Sequence, residues 1–302
     1  ASAAPSLEAS LAALGLPGAA RLARRYAALG MTSMYDWQAE ALAHADGWAA
    51  KGGSLVYAAP ASGGKTLVAE LLMALALWRS RGLGSRRPRD APPQLALYVV
   101  PLKALVQEKH KHFADVWQDY GWRVRECHGE AEEARRAREG SDRAGRPPRL
   151  AEDASADVAV MTWEAANALV DELHASGGAA LVRARVACVV VDEVHQLSDA
   201  SRGAQLESFL CKLVAARRVQ VVAMTATASN LEALAGWLGA ALYATDFRPT
   251  ALDYHVATPP LGGPKLFREP ARFPAFTWTG GRLLAAPPVR VAPRPLAEGG
   301  VA

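Results

Sequence analysis

The sequence has few cysteines and no long apolar run. Only Cys127, Cys188 and Cys211 occur in 302 residues, and neither they nor the seven histidines show the spacing of a metal cage. So few unpaired cysteines predict reduced thiols inside a cell. The longest apolar stretch, from Leu67 to Trp78, is interrupted by Glu70 and is too short to cross a bilayer. No basic segment precedes an apolar one at the start of the chain, so we expect neither a secretory signal nor a membrane partner.

The overall composition is that of a soluble globular protein, with 51% hydrophobic and 21% charged residues. The net charge of +4 is compatible with a nucleic-acid partner, but proteins without such a partner often carry a similar excess. Arginine outnumbers lysine by 27 to 7 and the sequence is rich in alanine, which a GC-rich coding bias explains. Charge alone therefore does not indicate a function.

Short apolar runs alternate with segments of helical period along the first 240 residues. Uninterrupted apolar strands separated by helices are typical of a parallel sheet that is covered on both faces. The predicted strands are 54–59, 95–100, 157–161, 186–192 and 219–224. The predicted helices are 65–80, 103–119, 164–175, 202–217 and 230–238. The sequence thus predicts a three-layer α/β domain with a mostly parallel central sheet.

Composition also suggests where the domain begins and ends. We expect an N-terminal helical extension over residues 1–30, a nucleotide-binding domain over 31–257, and an irregular tail over 258–302, because proline and glycine are dense there. Segments 81–93 and 139–155, rich in Gly, Pro, Ser and Arg, are expected to be surface loops or insertions.

A small-residue turn between the first predicted strand and its helix indicates a phosphate site. Such a turn points backbone N–H groups into a concavity and adds the positive end of the helix dipole. Lys65 would reach the β- and γ-phosphates, and the Thr66 hydroxyl would hold Mg²⁺. Ala59 stands where the P-loop pattern has glycine, which is one departure from the strict motif. The predicted nucleotide-binding residues of the turn are Ala59, Ser62, Gly63, Gly64, Lys65 and Thr66.

An acidic pair follows the predicted strand 186–192. Ligands in open α/β sheets bind at the carboxyl ends of the strands, so Asp192 and Glu193 would stand near the phosphates. Asp192 would then share Mg²⁺ with Thr66, and Glu193 would act as the general base for a hydrolytic water. The sequence therefore predicts ATP and Mg²⁺ as cofactors, with Glu193, Asp192 and Lys65 as the catalytic group. Taken alone, an acidic pair is equally compatible with an ordinary turn.

Several motifs resemble those of superfamily-two helicases. Asp192-Glu193-Val194-His195 resembles the DExH box, and the turn at 59–66 resembles the first motif. Further likenesses are the segment 34–38, which contains Gln38, and the segments 101–105, 161–164 and 225–227. The residues that flank these motifs are most similar to the helicase-like half of DNA polymerase theta and to its sister repair helicase. The resemblance runs in continuous order from about residue 30 to 256.

This resemblance implies a RecA-like P-loop NTPase domain in an ATP-dependent DNA helicase or translocase. It would move 3′ to 5′ on single-stranded or forked DNA, serve DNA repair and reside in the nucleus. Gln38 would bind adenine. The implied coupling residues are His195, Thr225, Ala226 and Thr227, and the implied nucleic-acid contacts are Pro101, Lys103 and Thr162. An ordinary surface role stays open for Gln38 and Lys103 taken singly.

A complete helicase closes ATP between two RecA-like domains, and the second provides an arginine finger. No second series of strands and helices follows Phe247, so we expect the second motor domain to be absent from this segment and hydrolysis by residues 1–302 alone to be weak. Two alternatives remain open: a truncated non-catalytic fragment that binds nucleotide or nucleic acid, and an RNA helicase of the same branch. A generic P-loop kinase or GTPase would leave Gln38, His195 and the segment 101–105 without a role.

Overall fold

The computed structural model describes residues 6–81, 94–127, 156–226 and 230–249, together with three strands beyond them. The chain divides into two compact units, Ala1–Phe247 and Arg248–Ala302, and each is described by itself.

The first unit is built on a seven-stranded sheet. Its strands are β1 (Leu55–Ala58), β2 (Leu95–Val100), β3 (Val124–Cys127), β4 (Val158–Thr162), β5 (Val186–Val191), β6 (Gln220–Thr225) and β7 (Ala241–Ala244). Every pairing is parallel, in the order β3-β4-β2-β5-β6-β1-β7. The five inner strands are the five that the sequence predicts. The two edge strands were not predicted, because they are only half-buried and carry no long apolar run.

Helices cover both faces of this sheet. They are α1 (Leu7–Ala13), α2 (Ala19–Ala28), α3 (Asp36–Gly47), α4 (Lys65–Ser80), α5 (Lys103–Val116), α6 (Trp163–Arg185), α7 (Gly203–Ala216) and α8 (Leu231–Leu238). Helix α6 extends ten residues past its predicted end at 175, across a break at Gly177 and Gly178. Within the described part of the chain, none of the helices combines the length and apolar character needed to span a membrane.

The two faces of the sheet bury two separate cores. Alternate strand residues such as Tyr57 and Tyr98 pack beneath α1–α5, whereas neighbours such as Val56 and Val99 pack beneath α6–α8. This alternation of side chains explains why the inner strands are apolar at every position. The predicted three-layer α/β fold with a parallel sheet is therefore confirmed.

The second unit contains a small antiparallel sheet of β8 (His255–Ala257), β9 (Ala271–Thr279) and β10 (Arg282–Val291), in the order β10-β9-β8. The prediction of an irregular tail after residue 258 is corrected for β9 and β10. Prolines usually disrupt strands because they lack an N–H, but Pro287 and Pro288 lie where the register shifts between Ala286 and Val289. The irregularity absorbs the prolines without ending the strand.

Candidate functional site

The predicted site residues gather at one edge of the seven-stranded sheet. Five adjacent strands end there, because parallel neighbours present their carboxyl ends on the same side. In spatial order, the residues at these ends are Thr162 (β4), Pro101 (β2), Asp192 (β5), Thr225 (β6) and Ala59 (β1). The acidic segment thus lies between the predicted nucleic-acid residues and the small-residue turn.

The turn between β1 and α4 has the backbone of a phosphate cradle. Ser62 and Gly64 have positive φ angles of 62° and 84°, and Gly64 caps the N-terminus of α4. The Gly63 N–H donates to the Pro60 carbonyl at 3.0 Å. A Cβ at Gly63 would stand only 2.9 Å from that carbonyl oxygen, so the close approach requires glycine.

Lys65 turns its side chain back into this cradle. Its ammonium donates to the carbonyl oxygens of Ala59 at 3.0 Å and Pro60 at 3.2 Å. Burial lowers the pKa of Lys65, and the negative charges of Glu193 and Asp192 partly oppose this shift. Those charges are close enough to act on the ammonium, so the lysine and the acidic pair share one site.

The acidic pair is held by the end of β5. The Asp192 N–H donates to the Val99 carbonyl at 2.9 Å, and the Asp192 carboxylate accepts the Glu193 N–H at 2.9 Å. Burial, followed by the neighbouring charge of Glu193, raises the pKa of Asp192. Glu193 itself has a positive φ of 54°, an uncommon conformation for a residue with a Cβ, two residues after the end of β5.

A tyrosine that was not predicted links the two motifs. The Tyr98 hydroxyl lies 3.3 Å from Asp192 Oδ2 and also interacts with the Thr66 side chain. On β1, the Tyr57 hydroxyl donates to the Lys65 carbonyl at 2.7 Å. Both tyrosines are fully buried in otherwise aliphatic strands. That pattern was the available signal, because a buried hydroxyl needs a hydrogen-bond partner.

These groups fit a magnesium-bound triphosphate. Thr66 and Asp192, brought together around Tyr98, offer the hard oxygen ligands that Mg²⁺ prefers. Glu193 Oε2 is buried and, within the described part of the chain, accepts no hydrogen bond, although His195 Nδ1 lies 3.3 Å away. A buried carboxylate oxygen left without a donor is suited to a water or ligand hydrogen.

The predicted coupling residues begin beside this acidic pair. His195 Nδ1 lies 3.0 Å from the Thr225 hydroxyl, so the DExH segment and the end of β6 are in direct contact. The Thr225 carbonyl also accepts the Ala59 N–H at 3.2 Å. Ala226 follows in a half-buried bend, and Thr227 lies outside the described residues.

Gln38 binds the backbone of the cradle. Its Oε1 accepts the Tyr35 N–H at 2.8 Å, and its Nε2 donates to the Gly64 carbonyl at 2.8 Å. Trp37, which packs in the core, donates from Nε1 to the Gly63 carbonyl at 3.1 Å. Gln38 and Gly64 also line a cavity of about 540 Å³. The Gln38 amide keeps one further lone pair and one further hydrogen, which adenine could use. Adenine binding by Gln38 stays a prediction.

The predicted nucleic-acid residues differ in exposure. Lys103 is exposed at the start of α5, whereas Pro101 and Thr162 are buried. The Thr162 side chain hydrogen-bonds Glu164. Leu102, between the first two, is 56% exposed and was not predicted. Contact with a nucleic-acid strand stays a prediction for all three predicted residues.

The fold and the site define a RecA-like P-loop nucleotide-binding domain. Residues 35–234 match the DEAD/DEAH box helicase family. The match spans more than half of the chain, and the chain belongs to this family. Members of the family generally bind ATP with Mg²⁺.

Similar proteins are DNA helicases and polymerases by name. DNA polymerase theta of Mus musculus is 35% identical over 80% of this chain and 9% of its own length. ATP-dependent DNA helicase Hel308 of Thermococcus kodakarensis is 33% identical over 78% of this chain and 18% of its own length. The human protein named Helicase POLQ-like is 32% identical over 75% of the chain and 18% of its own length. The chain therefore spans a fifth or less of these relatives.

A solved structure supports the fold alone. The crystal structure of the DUF1998 helicase MrfA superposes with a TM-score of 0.52 at 17% identity, over 75% of this chain and 32% of that one.

Proposed function

We propose that this chain is the ATP-binding motor domain of a DNA helicase or translocase that moves 3′ to 5′ on single-stranded or forked DNA in DNA repair. The names of the relatives, ATP-dependent DNA helicase Hel308 and DNA polymerase theta, support DNA as the track. One observation carries the nucleotide part of the proposal: Tyr98 contacts both Thr66 and Asp192, so the phosphate turn and the acidic pair face one volume. A nuclear location is part of the same proposal.

Each side chain at this volume has a role that its chemistry allows. Lys65 leaves its two carbonyl partners and binds the β- and γ-phosphates, assisted by the N–H groups at the start of α4. Thr66 and Asp192 hold Mg²⁺, which neutralises phosphate charge when bound. Glu193 orients a water and takes its proton through Oε2, which accepts no hydrogen bond within the described residues and lies 3.3 Å from His195 Nδ1. Gln38 fixes the cradle and contacts adenine.

Coupling to the nucleic-acid track follows the strand order. The contact between His195 and Thr225 connects the acidic segment to the end of β6, beside the phosphate turn. On the other side, β2 and β4 carry Pro101, Lys103 and Thr162 to the same edge. Neighbouring strands in a sheet lie about 4.8 Å apart. A structural change at the γ-phosphate can therefore be passed by direct contact from one strand-end segment to the next.

Efficient hydrolysis needs a further positive charge in the transition state. Superfamily-two motors close ATP between two RecA-like domains, so we expect a second motor domain of the same protein to supply the arginine finger. Such a finger accelerates related reactions by about 10³–10⁵-fold. Residues 1–302 alone should bind ATP and hydrolyse it slowly.

Titration of a fluorescent ATP analogue with Mg²⁺ tests the nucleotide site. Lys65→Ala should weaken binding at least about tenfold, because a charge-assisted phosphate contact is lost. Glu193→Gln should keep binding and lose roughly 10²–10⁴-fold in single-turnover hydrolysis, as expected for a general base. Lys111→Ala, at an exposed position of α5, is the matched control.

Three outcomes would contradict parts of this proposal. An unchanged affinity of Lys65→Ala for the ATP analogue would show that the turn between β1 and α4 is not the nucleotide site. A preference for GTP would count against Gln38 as an adenine contact. Stronger stimulation of hydrolysis by single-stranded RNA than by DNA would make the chain an RNA helicase of the same branch.

A further inference from the structure

A groove at the opposite edge of the sheet combines aromatic rings with positive charge. It has a volume of about 710 Å³ and lies where β6, β1 and β7 begin. Trp48, Trp237, Lys51, Arg217 and Arg218 line it, and we call it the basic aromatic groove. The proposed ATP site lies at the far ends of the same strands, about 13 Å away along the four residues of β1.

The two tryptophans present aromatic surface to solvent, and the Trp48 ring is held in place. Trp48 is 48% exposed, and its Nε1 donates to the Ser54 carbonyl at 3.1 Å. The indole packs so closely on Gly53 that a Cβ there would stand 2.1 Å from the ring. Trp237, on α8, is 37% exposed. A ring held on one side and open on the other costs little entropy when a planar group stacks on it.

The charged side chains of the groove are all cationic. Lys51, Arg217 and Arg218 are exposed, and no Asp or Glu is among the described residues that line the groove. Arg217 and Arg218 both have positive φ angles, 51° and 60°, which disfavour residues with a Cβ. Both arginines lie between the C-terminus of α7 and the start of β6, so this short loop carries them to the groove.

We propose that the basic aromatic groove is a second binding site for single-stranded nucleic acid. Bases stack on Trp48 and Trp237, and phosphates pair with Lys51, Arg217 and Arg218. Exposed aromatic rings beside cations are the combination that binds single strands without reading their sequence. This site goes beyond the proposed motor track, which uses the opposite edge of the sheet. A strand held there would keep the domain attached while the motor edge releases and rebinds.

The salt dependence of binding tests the cations. A fluorescein-labelled oligothymidylate of about 12 nucleotides, within the site size of such grooves, is titrated by anisotropy at several salt concentrations. The double variant Arg217→Gly with Arg218→Gly removes both charges while suiting the positive φ angles, so it should fold. The slope of log K against log salt should fall in magnitude by about 1.4, or 0.7 per phosphate contact.

A matched control removes the same charge elsewhere. Arg21→Ala with Arg24→Ala, at exposed positions of α2, should leave the slope unchanged. Trp48→Ala should weaken binding roughly fivefold or more through lost stacking. Photocross-linking of a 4-thiothymidine oligonucleotide should label the peptide that contains Trp48, which lies at the groove and not at the motor edge.

Contrary results separate this inference from the proposed motor function. If Lys103→Ala weakens binding while the glycine variant and Trp48→Ala do not, the groove is not a nucleic-acid site and the motor track stands. If only the groove variants weaken binding, the groove stands and the predicted track fails. Tighter binding of a labelled oligoglutamate peptide than of the oligonucleotide would make the occupant an acidic protein segment and overturn the inference.

Discussion

At the scale of single residues, Glu70 lines the same cavity as Gln38 and Thr66 and joins three helices there. It is 2% exposed and lies one helical turn after Thr66. Its carboxylate accepts the Tyr26 hydroxyl at 2.5 Å, and His112 Nε2 lies 2.7 Å away. These contacts join α2, α4 and α5 at one buried point. A buried carboxylate needs such partners, because its desolvation is costly without them.

His112 should make stability depend on pH. Burial opposes its protonation, but the hydrogen bond and charge of Glu70 outweigh burial and raise the pKa of His112; Lys109 opposes and Asp115 supports this shift. A raised pKa in the folded state means that the stabilisation is complete below about pH 6.5 and is lost as pH rises through the higher folded pKa.

Urea unfolding at several pH values measures this effect. The free energy of unfolding of the wild type should be about 1.5–3 kcal/mol larger than that of His112→Gln near pH 6, because glutamine cannot titrate. This difference should shrink toward pH 8. His110→Gln serves as the control on the same helix. A difference that grows with pH would show that the ion pair with Glu70 is not the cause.

At the scale of elements, the junction of β1 and α4 depends on Gly64 as well as on the close approach at Gly63. Gly64 has a φ of 84°, and a Cβ there would meet Gln38 Nε2 at 2.6 Å. Gly121 has a similar φ of 65° but open space around its Cβ position. The two glycines therefore separate backbone strain from the contact with Gln38.

Gly64→Ala should reduce both the stability of the fold and the affinity for nucleotide. In thermal unfolding, both Gly64→Ala and Gly121→Ala should lower the free energy of unfolding by roughly 1–2 kcal/mol, since alanine disfavours positive φ. Only Gly64→Ala should also weaken binding of the ATP analogue, by about tenfold or more, because Gln38 and the cradle are displaced together. Equal nucleotide affinity in the two variants would contradict a structural role for Gln38 in the cradle.

At the scale of the whole molecule, every described residue of the proposed ATP site lies in the first compact unit. That unit has its own sheet and two cores, as an independently folding domain requires. We therefore expect it to carry nucleotide binding by itself.

A chain of residues 1–249 tests this expectation. It should unfold cooperatively, and ATP with Mg²⁺ at about one hundred times Kd should stabilise it by about 2.7 kcal/mol, as for residues 1–302. Differential scanning calorimetry of both chains, with Lys65→Ala as the non-binding control, gives the comparison. Loss of the ligand-induced shift in the shorter chain would place part of the site after residue 249.

The sequence by itself determined the parallel fold, the inner strands and the motif residues. Apolar runs such as 186–191 are fixed by burial on both faces, and Gly63, Lys65 and Asp192 belong to short local patterns. The half-buried edge strands and the paired strands β9 and β10 lack such a local signal, because pairing with a neighbour rather than composition makes them strands.

Only the tertiary structure decided which residues meet. Tyr98 bridges Thr66 and Asp192, Gln38 holds Gly64, and Glu70 joins three helices through contacts between residues 26 to 94 positions apart in the chain. The parallel strand order sets Tyr98 beside the phosphate turn and the acidic pair at one edge of the sheet, and the packing of helices on one face creates the contacts of Gln38 and Glu70. The basic aromatic groove arises at the opposite edge in the same way, because long-range packing has no periodic trace in the sequence.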